Sequence, residues 1–344
     1  MTSQLTPAYT LTLGSQQWTE QVRRLSVTLD LAPRVDRLQV WLPAAAPLSA
    51  QNGDDVELTL DNGETEAVVF KGEIDAIRRD FTSLRVSCVD AGGVLARFRP
   101  AETFENATAA TVIRNLCDAM GVDSGDLEDG PDLAFYAADP TRTAWEHVAR
   151  LSSWAGAVAR VGSGDAVDAS VIDASQAEFA LRYGREISEL RATRLASATD
   201  AFVFAGEAGV GDVGSADVHR PTTDFFAGNR PEGPARGKRW QFEPALRTAK
   251  AAGTAGAARQ RGYDASADAG EFIAFLLPQL RCGSVVEIQD LPEGLVSAPI
   301  WLTRVQHDVD SRRATTQVRF RRGGDRFDPL ALLGSLAGLV GGLL

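Results

Sequence analysis

Cysteine, histidine, lysine and long apolar runs are all scarce in this sequence, and each scarcity removes a class of protein. The three cysteines, Cys88, Cys117 and Cys282, are odd in number, far apart and set in apolar-patterned stretches. Such spacing argues against a disulfide framework and for a reducing compartment. The three histidines, His147, His219 and His307, form no HExxH pair and no Cys/His ligand spacing. No metal and no cofactor is therefore expected. Positive charge is short as well: 35 Lys and Arg against 46 Asp and Glu leave a net charge of −11. That balance argues against non-specific binding to nucleic acid. Only Lys71, Lys238 and Lys250 are lysines, and the arginine excess beside abundant alanine reads as a coding bias, not a phosphate site. No charged and then apolar leader opens the chain, so no secretory signal is expected.

What is present is globular in composition, 44% hydrophobic and 24% charged. A length of 344 residues suggests two or three domains and a sizeable core. The negative charge is local. Residues 1–100 carry −3, residues 101–180 carry −10 and residues 181–344 carry +2. At the far end, Pro329–Leu344 holds no ionisable side chain at all.

The first hundred residues alternate with period two. Tyr9–Leu13, Val22–Leu29, Leu38–Leu42, Val56–Leu60, Glu66–Lys71, Gly72–Arg79 and Leu84–Val89 read as short strands. Asn52-Gly53-Asp54 and Asp61-Asn62-Gly63 supply tight turns, and Arg78-Arg79-Asp80 a solvated hairpin end. Many short antiparallel strands indicate a small barrel or sandwich. Beyond Pro100, Asn106 or Thr108 is placed to cap a helix over 109–120, with Val112, Ile113, Leu116 and Met120 on one face and Gly121 stopping it. An acidic loop, Asp123–Asp132, leads to a second helix over 141–155, and a hairpin follows around Gly162–Gly164. Strands resume at Ile187–Leu195 and Ala201–Ala205. Residues 206–237 read as a long loop, and 245–261 as a helix weakened by Gly253 and Gly256. Glu271–Leu277, Ser284–Ile288, Ile300–Asp308 and Thr315–Arg321 close the pattern.

In this layout certain segments stand in a telling order. Gly53-Asp54-Asp55-Val56-Glu57-Leu58 precedes Val69-Phe70-Lys71-Gly72-Glu73-Ile74, and Leu84–Val89 ends at Asp90. Thr111–Leu116 with Gly121-Val122, and Trp145–Leu151 with Trp154–Ala157, mark the two helices. Gly283–Ile288 and Leu302–Asp308 mark the last strands. Together they resemble the baseplate hub proteins of contractile tails and injection machines. These are the phage late control D proteins and the N-terminal hub part of type VI secretion spike proteins.

The resemblance implies an α+β, mainly β fold: two small antiparallel β-barrel hub domains with an inserted helical domain. The boundaries are 1–98 for the first barrel, 99–183 for the insert, 184–326 for the second barrel with its loop and helix, and 327–344 for an apolar tail. It implies a hub-barrel motif of Gly53, Asp54, Phe70, Gly72, Ile74 and Asp90. The implied partners are two further copies in a homotrimer, a separate spike protein, the inner tube protein and baseplate wedge proteins. The chain has no room for the needle that type VI spike proteins carry, so a needle on a separate polypeptide is expected. Synthesis in the cytoplasm and assembly into a virion tail or injection particle follow.

Catalytic readings are weak beside this one. Gly209–Gly214 fits GxGxxG by letters without a surrounding βαβ unit, and neither a nucleophile elbow nor a P-loop occurs. The pairs Asp54-Asp55 and Glu128-Asp129 sit at turns, where carboxylates are solvated. A hub-scaffold enzyme that degrades peptidoglycan is the alternative function, and no enzymatic activity is expected. In the tail, Gly334, Gly338 and Gly342 recur every four residues among Leu330, Leu333, Leu336, Leu339 and Leu343. Small residues at that spacing let helices approach closely. A 16-residue helix would span about 24 Å, short of a hydrocarbon core of about 30 Å. The tail is thus expected to meet its copies or the spike, not to span a membrane.

Overall fold

The computed structural model describes residues 7–194, 201–205, 238–265, 268–291 and 299–322. The loop at 206–237, with the GxGxxG letters and His219, and the tail at 327–344 lie outside the described residues. Among the described residues the chain builds strands β1 (Ala8–Leu13), β2 (Gln16–Trp18), β3 (Arg24–Asp30), β4 (Arg37–Pro43), β5 (Asp55–Asp61), β6 (Glu66–Arg79) and β7 (Ser83–Val89), then helix α1 (Ala91–Arg97). Strand β8 (Glu102–Thr108), helix α2 (Ala109–Asp118), β9 (Ser124–Leu127), β10 (Asp132–Ala138), helix α3 (Ala144–Ala155), β11 (Val158–Val161) and β12 (Val167–Ser170) follow. The remainder is β13 (Phe179–Arg182), β14 (Ile187–Arg194), β15 (Ala201–Ala205), β16 (Lys238–Phe242), helix α4 (Ala249–Ala265), β17 (Asp268–Phe275), β18 (Val285–Gln289), β19 (Ile300–Asp310) and β20 (Ala314–Arg322).

The period-two alternation is realised directly. Leu25, Val27 and Leu29 of β3, Leu38, Val40 and Leu42 of β4, and Val56, Leu58 and Leu60 of β5 are all buried on one face. The fold is mainly β, but the expected pair of closed barrels is not what these strands form. The large sheet is an open path, β14-β17-β20-β19-β3-β4-β7-β6-β5-β1-β2, with β18 and β13 attached beside β19. No sheet among the described residues closes on itself. The reason lies in β19 and β3. Instead of closing on its own half, each turns its free edge to the other, in register from Arg304–Asp30 to Asp310–Arg24. One hydrophobic core accordingly contains both Leu11 and Leu58 from the first half and Leu302 and Val318 from the second. Most pairs are antiparallel, while β13–β18, β9–β12 and β15–β16 are parallel.

A second core gathers the helices. Thr108 caps α2 through its hydroxyl, which accepts from Thr111 N. In α3 the start falls later than the sequence pattern indicates: Thr143 and Glu146 form a capping box, and Gly156 at φ 76° ends the helix. Trp145, Val148, Leu151 and Trp154 are buried there beside Leu116 of α2. Helix α4, expected within the second strand region, packs its small face (Ala251, Ala252, Ala255) into this same core. The acidic loop read at 123–132 contributes β9, and β8 pairs with β10 beside it.

Candidate functional site

The six motif residues converge on one corner of the large sheet. Gly53 takes φ 89°. Its N–H donates to the Ile74 carbonyl at 2.8 Å, while Ile74 N–H donates to the Asp54 carbonyl at 2.9 Å. This reciprocal pair fixes the β4–β5 connection on β6. The Asp54 carboxylate accepts from Gln51 N at 2.8 Å. Phe70 faces Leu58, Ile74 faces Cys88, and both side chains are buried. Between them Gly72 lies opposite Val56 at φ 154°, and a Cβ there would overlap the Val89 carbonyl oxygen and sit 2.9 Å from Asp90 Cα. Asp90 in turn caps α1, its Oδ1 accepting from Gly93 N at 3.0 Å. The corner is therefore a structural joint: a side-chain-free crossing of β6 over the β7–α1 turn.

Around that joint the structure gathers charged groups that sequence separation conceals. Asp165, from the β11–β12 hairpin and itself at φ 69°, accepts from Ala91 N at 2.9 Å. Asp36 accepts from Asp30 N at 2.6 Å, and Arg34 and Arg304 both pair with Asp30. Arg281 donates to the carbonyls of Val68 and Val69 at 3.2 Å. Burial pushes the Asp36 carboxyl up to about 7, with the neighbouring Asp30 and Asp165 adding to it against the Asp30 N–H and the Arg281 charge. Burial, and then the Asp36 charge, hold Asp90 well above the usual carboxylate range, and burial lifts Asp165 to about 6. The same desolvation lowers Arg281 despite these carboxylates. Asp90 Oδ2 is buried with no hydrogen-bond partner, which suits a carboxyl that keeps its proton.

The chemistry-bearing residues elsewhere are absorbed by the fold. His147 is buried in α3: Tyr136 Oη lies 2.6 Å from its Nδ1 and the Asp139 carbonyl 3.0 Å from its Nε2. His307 Nδ1 lies 3.0 Å from Thr316 Oγ1, and burial depresses this ring to about 4. The three thiols are free and buried, and burial raises all of them. Among the described residues no group of three or more His, Cys, Asp or Glu is arranged to hold a metal ion. No helix among them is long and apolar enough to cross a membrane.

Three surface features stand out. A cleft of about 410 Å³ opens beside the joint, lined by Thr12, Asp55, Val56, Glu57, Lys71, Gly72 and Asp165. A polar groove of about 540 Å³ runs over β3, β4 and β19, where Arg34, Arg37 and Arg304 surround Asp30. At the end of the β6–β7 hairpin, Phe81 is fully exposed. The sequence pattern marks that hairpin end through Arg78-Arg79-Asp80. The lone aromatic following those three polar residues is the available signal for Phe81.

No protein-family model matches this sequence, and no curated protein matches it. Solved structures do match in fold. A tail protein of Neisseria meningitidis superposes with a TM-score of 0.71 at 14% identity, over 92% of this chain and 97% of that one. The 43 kDa tail protein of prophage MuSo2 from Shewanella oneidensis gives 0.65 at 16% identity, over 92% and 98%. A component of the type VI secretion system of Escherichia coli, described as structurally similar to phage T4 tail proteins, gives 0.62 at 12% identity, over 92% and 78%.

Proposed function

We propose that this chain is the structural hub of a contractile phage tail or a phage-tail-like injection-system baseplate, working as a homotrimer that adapts a trimeric spike to a hexameric inner tube. The observation that carries this reading is correspondence of fold along nearly the full length of both chains, with tail proteins of Shewanella and Neisseria. Each copy contributes two strand-rich halves fused at β3–β19, so three copies would offer six such halves to a six-fold tube. In this reading the role is mechanical and calls on no catalysis, in keeping with His147, His307 and the three thiols being spent on internal packing. Gly53, Asp54, Phe70, Gly72, Ile74 and Asp90 would set the shape of the first half. Leu330, Leu333, Gly334, Leu336, Gly338, Leu339, Gly342 and Leu343 would gather at the trimer axis or grip the spike.

The test is the solution mass of the purified chain, alone and with candidate spike and tube proteins from the same genome. A trimer that takes up one spike trimer is expected, with deletion of Pro329–Leu344 weakening trimer or spike attachment. A stable monomer indifferent to spike and tube refutes the reading.

A further inference from the structure

Two surface features on one strand, one at its end and one at its middle, have complementary charge. At one end is the β6–β7 tip. Its geometry is fixed from within: the Asp80 carboxylate accepts from Thr82 N at 2.8 Å and Ser83 N at 2.7 Å, and Asp80 N–H donates to the Ser83 carbonyl at 2.9 Å. Arg23 reaches the Thr82 carbonyl at 3.0 Å, and Arg79 reaches the Ala44 carbonyl at 3.0 Å. The only carboxylate of the tip is thereby spent in the turn. What faces outward is the whole side chain of Phe81 beside the exposed Arg78 and Arg79. A rigidly held, solvated aromatic flanked by arginines is the composition of an interface anchor, since it buries a large area at little entropic cost.

Midway along β6 lies the cleft beside Gly72. Its rim carries Asp55, Glu57 and Asp165 against Lys71, which is 3.1 Å from Glu57. Its floor is the backbone of Gly72 and the Val56 side of β5. Seven residues at about 3.3 Å each, roughly 23 Å of strand, separate Gly72 from Arg79. A copy therefore cannot fill its own cleft with its own tip.

We propose that the β6–β7 tip of one copy, Phe81 leading, seats in the acidic cleft beside Gly72 of a second copy. Phe81 covers the glycine floor, and Arg78 and Arg79 meet Asp55 and Glu57. Tip and cleft are different surfaces, so the contact is head-to-tail and can propagate around a ring. It rests on the self-association proposed above and assigns that association a surface.

Sedimentation of the full-length chain tests it. Wild type is expected to self-associate, more weakly as salt rises. Phe81→Ser is expected to lose about 30-fold or more in self-affinity, as removal of an interface anchor does, with its thermal unfolding unchanged at dilutions where both proteins are monomeric, because Phe81 is fully exposed within its own chain. The double variants Arg78→Glu/Arg79→Glu and Asp55→Arg/Glu57→Arg should each associate poorly alone and form one-to-one complexes when mixed, because the reversed tip then faces a reversed cleft; a mixed ring of three keeps one like-charged contact and recovers only in part. Wild-type association left intact by Phe81→Ser and by both charge reversals overturns this contact and leaves the hub reading standing. A wild-type chain that is monomeric at every concentration overturns both. Loss of binding to another protein in Phe81→Ser, without change in self-association, overturns the second copy as occupant.

Discussion

Replacing Asp36 by asparagine isolates the carboxyl node. Asp36 is buried, and its pKa rises from 3.8 to about 7 because burial disfavours the charge, with Asp30 and Asp165 adding to the effect. The folded state thus holds a proton that the unfolded chain releases above about pH 4. The contribution of this group to stability is fully present below pH 3.8 and falls as pH rises, until the folded carboxyl itself ionises near 7. Between pH 5 and pH 8 that fall covers about two pH units, or on the order of 2–3 kcal/mol. The asparagine side chain of the variant has no proton to lose, and its Oδ1 still accepts from Asp30 N. At about 2.1 cal/mol/K per residue, unfolding this chain carries an entropy of about 0.7 kcal/mol/K, so the change corresponds to about 3–4 °C. The measurement is the Tm of Asp36→Asn minus that of wild type at pH 5 and at pH 8. The gap should move in favour of the variant by about 3–4 °C between the two, whatever fixed cost the substitution itself brings. A gap that is constant, or that moves the other way, shows that Asp36 is ionised at both pH values and that the node is organised differently.

Two further perturbations probe the joint and the second core. Gly72→Ala forces a side chain into a φ of 154° and onto the Val89 carbonyl; a loss of about 1–3 kcal/mol or more is expected in chemical unfolding, with β6 the first region to exchange amide protons. Trp154→Ala removes a buried ring that packs edge-on to Tyr136 and lies 4.8 Å beneath the Arg150 guanidinium; about 3–5 kcal/mol is expected, read as a lowered urea midpoint.

The sequence made the large sheet legible wherever one strand face is buried and the other solvated, because period two is then written in every second residue. It also placed α2 and α3, whose apolar positions recur at helical spacing. Strand β8 escaped because Glu102-Thr-Phe-Glu-Asn-Ala-Thr pairs only with β10 and leaves most of its side chains exposed, so no alternation is imposed on it. Strand β6 was divided at Gly72, since a glycine within a strand pattern signals a break; here it marks the crossing over Asp90 while the strand continues to Arg79. The carboxyl node was illegible for a different reason. Asp30, Asp36, Asp90, Asp165 and Arg281 are scattered along the chain, and nothing local to any of them distinguishes a buried aspartate from a solvated one. The six motif residues were grouped only through resemblance; that they lie at one corner has a physical cause in Gly72, whose missing Cβ permits the close approach.

The β3–β19 seam explains why two strand patterns that each looked sufficient for a barrel produce one open sheet. A strand at the edge of a half-sheet exposes a row of unpaired N–H and C=O groups, and it is satisfied by closing on its own half or by pairing with another. Here the second solution holds on both faces of the seam. Inward, Leu25, Val27 and Leu29 join Val305 and Val309 in a single core, with His307 neutral and bonded to Thr316 among them. Outward, Arg24 pairs with the buried Asp308 at 2.9 Å while stacking 5.1 Å over Trp41, and Arg304 crosses to Asp30. Asp308 and Asp30 are both nearly inaccessible to water, so separating the halves would strand two carboxylates from their arginines as well as open a ladder. The two halves are thus joined by a continuous ladder, a shared core and two arginine–aspartate pairs at once.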